Sequence, residues 1–272
     1  MDIADFLSHG FIQRALIAGC FISVLCSTLG VFLVLRRLSL IGDGLAHVTF
    51  GSIAVGLLLR TYPFYVAVPI VMASSVGILK LIERARLFGD TAIGIVSSVG
   101  VATGVLLASA AGGFNVDLFS YLFGNILSIT SGEVMASVLL CLAVFVVIGF
   151  FYHELMAVTF DEESARASGI RVGRINTVLV LLTALTVVLA MKVVGIMLIS
   201  ALLILPPSTA LQMARGFRAT VATAAAVSLV SVVVGTLLSF LFDLPTGATI
   251  VILNFLFFIA AFAAHHFRRR RG

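Results

Sequence analysis

Charge is what this chain has least of: 11% of its 272 residues are Asp, Glu, Lys or Arg, against 61% apolar, and the mean hydropathy is +1.23. A soluble globule needs more polar surface than that, which excludes the soluble classes and leaves an integral membrane protein. Cysteine is nearly as scarce. Cys20, Cys26 and Cys141 are odd in number, show no C-x-x-C spacing and lie in apolar runs, so they read as small buried hydrophobes rather than a disulfide framework or thiolate metal centre. The only lysines are Lys80 and Lys192, neither preceded by glycine, so no G-x-x-x-x-G-K-[ST] nucleotide loop exists. No polar stretch is longer than residues 153–174, which leaves no room for a soluble domain and makes residues 1–272 a single transmembrane domain. A basic leader is missing too. Asp2 and Asp5 occupy the place of an n-region, so the first apolar run is expected to remain as a span.

What is present is a series of apolar runs of about 20 residues, the length that crosses a bilayer. They fall at residues 11–35, 41–59, 62–81, 91–111, 134–152, 175–191, 194–213, 219–242 and 246–264. Residues 112–132, with Phe114, Phe119, Tyr121 and Phe123 among Asn115, Asp117 and Asn125, read as an interfacial or partly re-entrant helix. The fold class expected is all-α, a polytopic membrane bundle of eight to ten transmembrane helices. Alternate connections carry Arg36 and Arg37; Lys80, Arg84 and Arg86; Arg166, Arg171 and Arg174; Arg215 and Arg218; and the arginines at 268–271, together 14 of the 17 basic residues. By the positive-inside rule those connections and the C-terminus are cytoplasmic and the N-terminus is outside. The terminal arginines orient the chain and meet anionic lipid, and they call for no nucleic-acid partner.

Inside this apolar frame Asp43 and His47 lie four residues apart, on one helix face. An ionisable residue in hydrocarbon costs several kcal/mol and is by default a functional-site hypothesis. A carboxylate and an imidazole converging from adjacent turns make half a site for a divalent transition metal. The competing reading is a local hydrogen bond that lets both groups survive burial. Gly42, Gly44, Gly51 and Gly56 surround the pair, either for close helix packing or for bending around a site. Depth raises a difficulty: Asp43 follows Arg37 by six residues, so a straight helix places it only about 9 Å above the inner boundary. Either the site lies in the inner half of the bundle or the chain near Arg36 dips into a vestibule.

A second informative segment is the inner loop over residues 158–174, VTFDEESARASGIRVGR. Asp161, Glu162 and Glu163 open a short helix at its positive dipole end, Ala165 and Ala167 give it small faces, and Gly169 stops it. It reads either as a capped loop helix or as one that slots into a groove on another protein. Elsewhere His153 with Glu154, and His265 with His266, read as solvated helix ends, while His9, Asp2 and Asp5 read as a mobile terminus. Pro206 and Pro207 should bend their span, and Glu133 and Asp243 read as outer-loop charges that could face a partner.

The runs LRRLSLIGDGLAHVTFGSIAVG from Leu35, FDEESARASGIRVGRIN from Phe160 and KVVGIMLISALLILPPSTALQMAR from Lys192 together resemble the zinc/manganese/iron permease family of ABC importers, across nearly the whole chain. The loop from Glu163 through Ala165 to Gly169 is similar to the E-A-A-x-x-x-G coupling motif of importer permeases, with serine at its second position. This resemblance implies a type II importer architecture in the cell membrane of a prokaryote. Two permease copies, or one with a related permease, would surround the path. Two cytoplasmic ATP-binding subunits would receive the coupling helices, about residues 161–170, and an extracytoplasmic solute-binding protein would deliver the metal. The permease itself is then not an enzyme and holds no permanent cofactor. A two-fold axis would bring two Asp43 and two His47 side chains to one transported ion, zinc first, then manganese or ferrous iron. A proton-coupled metal carrier is the alternative, but it would need a second Asp/His helix pair in the same subunit and no coupling loop. An intramembrane protease is disfavoured because Ser52 lies about 140° round the helix from His47.

Overall fold

The structure is a computed structural model, and it describes residues 10–110 and 130–271. The expected interfacial segment at 112–132 falls almost wholly outside the described residues, as do Asp2, Asp5 and His9. The described residues form α1 (Gly10–Leu35), α2 (Ile41–Leu58), α3 (Pro63–Ala85), α4 (Gly89–Ala110), α5 (Ser131–Phe150), α6 (Tyr152–Phe160), α7 (Glu162–Ala167), α8 (Val172–Val194), α9 (Ile196–Met213), α10 (Phe217–Phe242) and α11 (Thr246–Arg271). Nine of these are long and apolar enough to cross a membrane, all but α6 and α7. The spans expected from the sequence shift by a few residues at their ends, as terminal turns extend into the flanking polar residues.

Helices α1 and α2 are the most enclosed spans and α4 and α11 the least. The first helix packs against α5, α8, α9 and α10, and the second against α3, α4, α8 and α9. Without a hydrophobic drive between helices in lipid, close approach must come from small residues. Helix α2 supplies them: Gly44 faces Ile93 of α4, Gly51 lies against the Gly100 carbonyl, and Gly56 against Pro63. It runs unbroken from Ile41 to Leu58, so its glycines serve packing and do not unwind it around Asp43. Pro206 and Pro207 lie buried inside α9, which continues through both. Because Pro207 has no N–H, the carbonyl of Leu203 lacks its intrahelical donor. That oxygen faces Gly30 of α1, where any side chain would overlap it. The missing hydrogen bond is thus placed where two backbones meet.

Several polar groups pair between helices: Ser228 donates to the Ser23 carbonyl (3.0 Å), and Ser231 to Asn254 Oδ1 (2.9 Å). The cysteines are free thiols, as expected. Glu133, expected as a loop charge, is the third helical residue of α5 in a capping box; its carboxylate accepts from Thr130 N (2.9 Å), and Thr130 Oγ1 accepts from Glu133 N (3.3 Å).

Candidate functional site

Asp43 and His47 project from α2 on the one side of it that the described residues do not cover. Their side chains are 46% and 37% exposed in a helix whose other faces are mostly buried. His47 Nε2 stands 3.6 Å from Asp43 Oδ2. That is too long for a hydrogen bond, so mutual hydrogen bonding does not account for the pair. It is close to the separation of two ligands on one tetrahedral zinc, about 3.4 Å for bonds of about 2.1 Å.

The other carboxylate oxygen is engaged by a residue that sequence reasoning missed. Ser200 Oγ on α9 donates to Asp43 Oδ1 at 3.1 Å. Nothing local marks Ser200 among the many serines of the chain; only tertiary packing brings it to Asp43. Its bond leaves Oδ2 facing His47 and fixes the carboxylate's rotation, as supporting shells do around metal ligands. Ser200→Ala is expected to weaken metal binding about tenfold, within the range for such outer partners. Titration of the isolated permease with zinc checks this, and an unchanged affinity would separate Ser200 from the site. Among the described residues no cluster of three or more His, Cys, Asp or Glu side chains that could hold a metal ion exists.

The depth question is answered by the two helices that meet there. Asp43 is about fifteen residues, about 22 Å, from the far end of α2, and Ser200 about thirteen residues, about 20 Å, from Met213 at the opposite end of the bundle. The site therefore sits near mid-depth. Gly30 and Gly42 both pack on Leu203, which shows α2 starting alongside the body of α1. In the turn that joins the two helices Arg37 and Leu40 are exposed and residues 36, 38 and 39 are half-buried.

The loop helix forms where expected. Asp161 caps it, its Oδ1 accepting from Ser164 N at 3.0 Å. Gly169, at φ +84°, ends it in a Schellman arrangement: Ile170 N donates to the Ala165 carbonyl and Gly169 N to the Arg166 carbonyl, each at 3.1 Å. Glu163 is exposed, but Ala165 is only 3% exposed and belongs to the chain's own core. The expectation that Ala165 enters a partner's groove is corrected: a small residue is required there because α7 lies flat on this bundle. The surface it offers outward is made by Glu162, Glu163, Arg166 and Ala167.

Sequence reasoning also took Arg36 for an orienting loop charge like its neighbour. Arg37 is exposed, whereas the Arg36 side chain is 9% exposed; it donates to Asn176 Oδ1 on α8 and pairs with Glu162 Oε2 of α7 at 3.9 Å. Burial lowers its pKa from the usual arginine value, while Glu162 and Glu83 act the other way. Of the remaining candidates, His153 is an exposed end of α6, and His265 Nδ1 lies 3.0 Å from the Gln212 carbonyl, against the last turn of α9.

A bundle of membrane-crossing helices that carries a mid-depth carboxylate–imidazole pair on an open face of α2, with a capped helix lying across one end, is the design of a polytopic permease. The chain belongs to the ABC 3 transport family, which it matches over residues 8–265. It is 32% identical over 256 residues to the manganese transport system membrane protein MntC of Listeria innocua, covering 94% of this chain and 91% of that one. It is 31% identical over 249 residues to the high-affinity zinc uptake system membrane protein ZnuB of Haemophilus influenzae, covering 91% and 95%. Among solved structures, PsaBC from Streptococcus pneumoniae in complex with Fab superposes with a TM-score of 0.85 at 30% identity, over 96% of this chain and 95% of that one. The family expected from the sequence and the multi-pass, all-helical fold are both established by these matches.

Proposed function

We propose that this chain is the membrane-spanning subunit of an ATP-driven importer of divalent transition-metal ions, zinc foremost, and that the ion crosses at Asp43 and His47. The observation that carries the reading is the 3.6 Å gap between their ligand atoms on a face open to a second copy. Doubling the pair across a two-fold axis gives two carboxylates and two imidazoles, the four nitrogen and oxygen donors that zinc accepts. Two ligands per copy, without thiolate, suit a cargo that must be released.

Energy comes from separate cytoplasmic ATPase subunits received on the outward face of α7, and a binding protein delivers metal from the far side. In this orientation the C-terminus is cytoplasmic and the N-terminus outside. The test is uptake by the assembled importer in proteoliposomes loaded with ATP, with zinc and manganese offered separately. Saturable, ATP-dependent zinc uptake is expected. Uptake of manganese alone would move the metal assignment and leave the importer standing, whereas gradient-driven flux by the permease without ATPase would replace the importer with the carrier.

A further inference from the structure

We infer that Arg36 is the positioning residue that transmits movement of the helix α7 to the metal-bearing helix α2. This rests on the importer reading above, since it concerns how ATP-driven motion reaches the ion. Three elements converge on one guanidinium: the turn that carries Arg36, Glu162 at the start of α7, and Asn176 on α8. Nη2 donates to Asn176 Oδ1 and stands 3.9 Å from Glu162 Oε2, an ion-pair distance beyond hydrogen-bond reach, so the fork fixes the Asn176 contact while the charge draws Glu162 to it.

The link from Arg36 to the site is short and stiff. Leu38 N donates to the Leu33 carbonyl at 2.8 Å and Arg37 N to the Val34 carbonyl at 3.1 Å, closing the end of α1, with Arg37 at φ +58°. Ile41 N then donates to the Leu38 carbonyl at 3.0 Å and Gly44 N to the Leu40 carbonyl at 3.0 Å, opening α2. Asp43 lies on that first turn of α2, so displacement of the guanidinium moves the frame that carries the carboxylate. Stability alone does not explain the arrangement. Ala165 already docks α7 by apolar burial, and an ion pair at 3.9 Å with one partner 45% exposed adds little to stability. The Glu162–Arg166 pair, at 3.1 Å, lies within α7, so of the two ion pairs Glu162 makes only the one with Arg36 leads out of that helix.

The experiment measures zinc uptake and ATP hydrolysis together in proteoliposomes holding the permease, its ATPase and its binding protein. The variants are Arg36→Gln, Arg36→Lys and Glu162→Gln. For Arg36→Gln and Glu162→Gln the zinc moved per ATP is expected to fall about tenfold, within the usual range of a coupling between sites, while zinc binding to the isolated permease stays within about twofold. Arg36→Lys keeps the charge without the fork and is expected to recover part of the ratio. An unchanged ratio in both charge-removing variants overturns the inference, as does a loss of zinc binding in step with uptake. If Arg36→Gln fails to assemble, Glu162→Gln decides alone, because its side chain is 45% exposed and its removal leaves the core intact. Wild-type vesicles with no ATP-driven uptake would sink the importer reading itself; wild-type uptake with indifferent variants would sink only the role of Arg36.

Discussion

Asp43→Asn and His47→Ala are each expected to reduce metal uptake at least about a hundredfold while the protein still inserts and accumulates in the membrane. Losing a ligand should exceed the 10–100-fold loss typical of an outer-shell partner. Asparagine keeps the shape of the aspartate and one oxygen, but removes the negative charge from each copy that offsets the ion's two positive charges. Alanine removes the nitrogen donor outright. Neither change should cost much stability. Asp43 makes one side-chain hydrogen bond, to Ser200, both ligands are partly exposed, and neither belongs to the apolar core around α1 and α2. Uptake of labelled zinc by cells, normalised to permease in the membrane, checks the result. Normal uptake by either variant would remove the metal site from this pair.

The second large effect is expected from Ala165→Glu. The side chain at this position is 3% exposed beneath α7 and joins the apolar cluster formed with residues such as Leu155 and Val158. A carboxylate there must stay buried and unpaired or lift α7 off the bundle, at a cost of a few kcal/mol either way. Lifting α7 also separates Glu162 from Arg36. ATP-driven uptake is therefore expected to vanish, along with co-purification of the ATPase, while the nine spans still insert. Ser168→Ala is the contrast. It removes one hydroxyl bonded at 2.9 Å to the Ser164 carbonyl on the exposed side of the loop, and uptake should stay within about twofold, since exposed local hydrogen bonds contribute about 1 kcal/mol or less. Equal uptake by Ala165→Glu and wild type would show that α7 plays no part in energy coupling.

Asp43, His47 and Ala165 show how much the sequence makes legible. Asp43 and His47 were legible because charge in hydrocarbon is expensive and i,i+4 spacing fixes a shared face. The position of Ala165 in a short capped helix was legible from the acidic start and Gly169, yet its direction was not. A six-residue helix with alanines on two sides carries no pattern that says which side is buried. Arg36 and Arg37 are alike in sequence, and only the arrangement of α7 and α8 around one of them makes it a buried link.

Composition and periodicity by themselves determined the solvent, a count of eight to ten spans with their approximate bounds, the placing of Asp43 and His47 on one helix face, and the loop helix. Each depends on local quantities: hydropathy over about 20 residues, helical spacing, and capping. Tertiary structure alone decided that Ser200 holds Asp43, that the site lies at mid-depth, that Ala165 faces inward and that Arg36 joins α7 to α8. All four depend on which helices are neighbours, and residues 157 or 140 positions apart leave no local signal of meeting. That meeting is set by where small residues such as Gly30, Gly42 and Gly51 let the backbones approach one another.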